Sequence, residues 1–94
     1  MSAGKGNGPT APRLAAGVRL DRDRVTGGHV LLFPEGVLLL NTTAAAVLEL
    51  CDGRRTPADV VARLGRRYGT EPDELIRDVT EFLGHLRERG LLHW

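Results

Sequence analysis

The residues of this 94-residue chain that could do chemistry are kept apart by their spacing. The three histidines fall beside a turn (His29), in a helical stretch (His85) and near the C-terminus (His93). None has a cysteine, histidine or carboxylate at metal-ligand spacing, so no metal site is expected. Cys51, the single cysteine, would need a neighbouring base to act as a nucleophile. It lies instead on the apolar stripe of a helix, the setting of a buried structural thiol. Gly27-Gly28 and Gly36 read as hairpin turns and not as a phosphate-cradling loop. The carboxylates Glu71, Asp73, Glu74, Asp78, Glu81 and Glu88 are spaced as the solvated face of the last helix, where those near its start suit the helix dipole. No catalytic residue and no cofactor site is expected, so the chain reads as a non-enzyme.

Charge raises a second question. The net charge of +1 is spread unevenly, and residues 54–70 carry +4 through Arg54, Arg55, Arg63, Arg66 and Arg67 against Asp59. Three short helices beside a β-hairpin suit a winged helix-turn-helix, whose recognition helix should be basic. Here the last helix is acidic overall. Phosphate neutralisation supplies most nucleic-acid affinity, so no nucleic acid is expected as a partner. The arginine block is better read as a solvated face or a protein docking patch. No run of about 18 apolar residues exists, so no membrane segment is expected. One cysteine cannot staple the fold, which fits a reducing cytoplasm.

The elements that must position any site are legible from pattern and punctuation. The glycine- and proline-rich start is expected as a disordered tail over residues 1–15, with one domain over 16–94. Val18-Arg19-Leu20-Asp21 alternates like a strand with one buried face. Thr26-Gly27-Gly28 turns the chain into a second strand, Val30 to Phe33. Pro34-Glu35-Gly36 turns it into a third, Val37 to Leu40, with proline presetting φ and Gly36 allowing a positive φ. The apolar residues of both hairpin strands run without a break, so both faces call for cover. Three helices follow. Asn41 to Thr43 offer caps for the first, whose Ala44, Val47, Leu48 and Cys51 share one face. Thr56 with Asp59 forms a capping-box pattern, and Thr70 with Asp73 repeats it. Gly53, Gly69 and Gly90 end the three helices, and Leu91, Leu92 and Trp94 are expected to fold back on the body. The order predicts an α+β domain, a three-stranded antiparallel sheet followed by three helices.

The meander places Val37-Leu38-Leu39-Leu40 at a sheet edge that carries no lysine, proline or inward charge. Such an edge is covered by the protein's own parts, paired in a dimer, or kept for a partner strand. The stripe Leu75, Ile76, Val79, Phe82, Leu83 and Leu86 lies on the helix best able to form the other wall of a groove. The alternative is that both are ordinary core.

Several segments, in order, carry a resemblance. HVLLFPEGVLLLN, a small-residue helix, LCDGRRT and DVTEFLGHLRERGLL together resemble the PqqD family, peptide chaperones of pyrroloquinoline quinone (PQQ) biosynthesis. The match covers roughly residues 18–92. Its most telling positions are Leu32, Pro34, Glu35, Gly36, Asn41, Leu48, Cys51, Asp52, Gly53, Val79, Phe82 and Leu83. Leu39 departs from the pattern, where a polar or charged residue is expected in many relatives. The resemblance implies a small winged-helix-like domain that binds the PQQ precursor peptide and presents it to a radical-SAM enzyme that joins Glu and Tyr side chains. The peptide would add as a strand beside the third strand, against the last helix. The implied peptide-binding residues are Val37, Leu38, Leu39, Leu40, Asn41, Leu75, Ile76, Val79, Phe82, Leu83 and Leu86. A recognition domain of another modified-peptide pathway is the nearest alternative. A monomer is expected, since pairing through the third strand would compete with peptide; strand exchange at Thr26-Gly27-Gly28 is the route to a dimer.

Overall fold

The computed structural model describes residues 11–94, which run β1 (Arg13–Leu14), β2 (Arg19–Arg22), β3 (His29–Phe33), β4 (Gly36–Leu40), α1 (Thr42–Glu49), α2 (Pro57–Tyr68), α3 (Pro72–Glu88) and β5 (Leu92–His93). The expected meander and three helices are present in the expected order. The domain is α+β and winged-helix-like.

Strands β2, β3 and β4 form one antiparallel sheet in that order. Leu31 pairs with Leu20 on one side and Leu38 on the other, while Val30 pairs with Asp21 and Leu39. Directly opposed residues share a face. Leu20, Leu31, Leu38, Leu40 and Phe33 therefore face the helices, where Leu31 is fully buried. The other face carries Val30, Leu32, Val37 and Leu39. The expectation that both faces of the hairpin are covered fails at β4, whose burial alternates: Val37 is 56% and Leu39 78% exposed. Gly36 also differs from expectation. The positive φ is at Gly27 (75°), in the β2–β3 turn, and not at Gly36.

Caps set the helix boundaries. The Asn41 side chain accepts the Ala44 N–H at 2.7 Å and starts α1. Thr56 and Asp59 form the expected capping box, each side chain accepting the other's N–H at 3.2 and 3.0 Å. Gly69, at φ 67°, closes α2. The second expected box does not form: α3 is preceded by Glu71, with no side-chain cap, and has Pro72 in its first turn. The reason lies one residue upstream, where the Thr70 N–H donates to Gly65 O at 3.0 Å and so belongs to the end of α2. Gly90 closes α3 at φ 76°, and the Leu91 N–H returns to Leu86 O at 2.9 Å. Helix α1 packs on all three strands of the sheet, and α3 lies along α2. The core between them is Leu31, Val47, Leu48, Val60, Val61, Leu64 and Leu83, among others.

The chain ends correct the expected domain boundary. Residues 1–10 of the tail lie outside the described residues, but residues 12–15 are built into the fold. Pro12 is fully buried, its carbonyl accepts the Gly53 N–H at 3.0 Å, and β1 pairs antiparallel with β5. A two-residue strand has no periodicity to read, and its partner lies at the far end of the chain. Leu91 and Leu92 are buried as expected, and Trp94 is capped by the Arg87 guanidinium 4.6 Å from its ring centroid.

Candidate functional site

Strand β4 is paired on one side only. Its other edge presents a row of main-chain donors and acceptors with no sheet partner among the described residues. The five residues Gly36–Leu40 carry no charge and no proline to discourage another strand. Leu38 and Leu40 point inward and are half-buried, while Val37 and Leu39 point outward.

The capping bond of Asn41 turns the chain sharply from this edge into α1. At that corner a cleft of about 260 Å³ opens between α1 and α3, lined by Asn41, Thr43, Ala44, Val47, Leu75, Asp78, Val79 and Phe82. Its floor is aliphatic and aromatic, and its polar groups sit at the rim, the usual make-up of a recognition pocket. Ala44 is small and leaves the space. A larger depression of about 440 Å³ lies by Arg13, Ala16 and His93 at the chain ends, away from β4.

The expected site residues divide into three groups. Asn41, Leu75, Val79 and Phe82 come together in the cleft, the last three at i, i+4 and i+7 on one face of α3. Leu83 and Leu86 face the core and are essentially buried, and Ile76 sits on the solvent-facing shoulder of α3. Val37 to Leu40 line no part of the cleft; they form the rail that leads away from it. Thr43, Ala44, Val47 and Asp78 were not expected here. Val47 and Ala44 read as core because they lie on the apolar face of α1; the signal for a gap was the run of small residues Ala44-Ala45-Ala46.

Two ionisable groups after α1 are shifted from their ordinary values. The Cys51 thiol donates to Val47 O at 3.3 Å. Burial, then the charge of Asp52, pushes its pKa up to about 12, so it is a poor nucleophile at neutral pH. Asp52 itself is held below the usual carboxylate range, chiefly by the Arg54 N–H at 2.9 Å and then by Arg55, whose guanidinium lies 2.8 Å away. That cluster fixes the loop after α1. Among the described residues no three His, Cys, Asp or Glu side chains gather where they could hold a metal ion, and no helix is long and apolar enough to cross a membrane.

Known proteins of the same build match this chain. The PqqD family model, described as coenzyme PQQ synthesis protein D, matches residues 28–92. The PqqA binding protein of Azotobacter vinelandii is 45% identical over 79 residues, covering 84% of this chain and 85% of that protein. The bifunctional coenzyme PQQ synthesis protein C/D of Methylorubrum extorquens is 40% identical over 86 residues; these cover 92% of this chain but only 23% of that longer protein. The solution structure of the PqqD truncation of Methylobacterium extorquens PqqCD, described as a functional, stand-alone recognition element for ribosomally synthesized and post-translationally modified peptides, superposes with a TM-score of 0.77 at 40% identity, over 88% of each chain. Lasso peptide synthetase B1 complexed with its leader peptide superposes with a TM-score of 0.73 at 28% identity, over 89% of this chain and 99% of that one.

Proposed function

The chain belongs to the PqqD family, and from that premise we propose that it is a peptide chaperone of PQQ biosynthesis. It binds the ribosomally made precursor peptide, PqqA, as an added strand along the open edge of β4, and presents it to the radical-SAM enzyme of the pathway. The observation that carries this reading is the pairing of an unprotected strand edge with an apolar cleft at its Asn41 end. Main-chain hydrogen bonds along β4 supply affinity, and side chains entering the cleft between Leu75, Val79 and Phe82 supply selection. The chain contributes no reactive group; it orders a flexible peptide and raises its concentration at the enzyme. It works as a monomer in the cytoplasm. The likeness to a leader-peptide complex of a different pathway supports peptide recognition in general, while the higher identity to PqqA binding proteins favours the PQQ precursor.

Titrating the ¹⁵N-labelled protein with synthetic PqqA tests this directly. Amide resonances of residues 36–41 and of α3 from Leu75 to Phe82 are expected to move together, with little dependence on salt. Shifts confined to the arginines of α2 and lost at high salt would overturn it.

A further inference from the structure

The outer face of the sheet carries a row of apolar side chains that lines no part of the cleft and is bare toward the open edge of β4. Its rows follow from the register: Asp21–Val30–Leu39 in one, Arg19–Leu32–Val37 in the next. None of the four aliphatic residues belongs to the core cluster. Exposure climbs along the first row toward the open edge, from 5% at Val30 to 78% at Leu39. Val30 is flanked by a strand on each side, whereas Leu39 has a neighbour on one side only. The charged ends of both rows, Arg19 and Asp21, lie 3.8 Å apart on the far strand, away from the edge.

A strand added beside β4 must place every second side chain in these outer rows, because successive side chains of a strand point to opposite faces. It then gives Leu39 and Val37 the second neighbour they lack. Polar residues there would leave both side chains wet; apolar ones would cover them.

We infer that Val37 and Leu39 are specificity-determining residues that select apolar side chains on the outward face of the bound peptide. The recognised segment is then apolar at consecutive positions, and not only at the alternate positions that face α3. This inference rests on the strand-addition reading above and adds a second selective surface to it.

The test uses the whole protein and synthetic PqqA. Leu39→Thr and Val37→Thr place β-branched, strand-compatible side chains at exposed positions, so the fold should be retained; circular dichroism checks this. Val25→Thr, at a 92% exposed turn position, is the control. Leu39→Thr is expected to weaken PqqA binding about tenfold and Val37→Thr somewhat less, with Val25→Thr unchanged. In parallel, the bound segment of PqqA is substituted with serine at alternate positions in two phases, and both phases are expected to weaken binding. If only one phase matters and Leu39→Thr binds normally, the inference is overturned while strand addition stands. If PqqA leaves the β4 amides unmoved, strand addition itself fails and the inference falls with it.

Discussion

Replacing Gly65 with alanine sets two effects of opposite sign against each other. In mid-helix, glycine costs about 1 kcal/mol relative to alanine, so propensity alone favours the change. At Gly65, however, a Cβ would lie 2.6 Å from the carbonyl oxygen of Thr70 and 3.6 Å from the Pro72 ring. Ordinary contact begins near 3.4 Å, so the backbone at Thr70 must retreat by about 0.8 Å. That movement strains the Thr70 N–H bond to Gly65 O and displaces the first turn of α3. Overpacking of this kind costs about 1–3 kcal/mol; set against the propensity gain, the net expectation is a loss of up to about 2 kcal/mol, or up to roughly 15 °C in Tm for a domain of this size. Gly84, in the middle of α3, is the matched control: its added Cβ meets nothing within 4 Å. Gly84→Ala should therefore stabilise by about 0.5–1 kcal/mol. Urea unfolding of both variants, followed by circular dichroism, reads the two signs in one assay. A Gly65→Ala protein stabilised as much as the Gly84→Ala protein would refute the close approach of α2 to the turn before α3, and with it the placement of the α3 wall.

Other outcomes follow from single contacts. Asn41→Ala removes the cap of α1 and should cost about 1 kcal/mol in urea unfolding, with Asn41→Gly costing less. Phe82→Ser opens the cleft wall at a half-buried position; PqqA affinity measured by calorimetry should fall about tenfold or more, and unaltered affinity would exclude the cleft from recognition. Cys51 gives a pH signature. Its folded pKa of about 12 lies above the ordinary 9.0, so its contribution is intact below pH 9. Above that the unfolded thiol ionises while the folded one does not, and stability drops progressively as pH rises toward the folded value. Cys51→Ala should flatten the decline in urea midpoint between pH 8 and 10.5; identical declines in the two proteins would show that the thiol is not buried as described. In the native parent, thiol-specific reagents should react slowly at neutral pH.

The parts of this fold that were legible beforehand are those fixed by local chemistry. The Thr56–Asp59 box, the glycine stops at Gly69 and Gly90 and the meander turns each depend on a few adjacent residues. What escaped was set by the tertiary arrangement. Thr70 looks like a helix cap in isolation, yet its N–H is committed to Gly65 O. Arg13–Leu14 becomes a strand only because Leu92–His93 arrives beside it. The α3 stripe is too wide for periodicity to divide it: Leu75 and Phe82 line the cleft, Leu83 and Leu86 fill the core, Val79 does both, and the packing of α3 along α2 makes that division. The continuous apolar run of β4 was visible, but its outward half is bare in the chain by itself.

The ladder between β1 and β5 brings the first and last described strands to one seam. Arg13 sits opposite His93, so a polypeptide grafted upstream of the one and another grafted downstream of the other would spring from the same spot. Tethering to a larger enzyme through either end is then nearly equivalent in space. A short linker joining Arg13 to His93 would also permit circular permutation, with the chain opened at the exposed β2–β3 turn around Gly27.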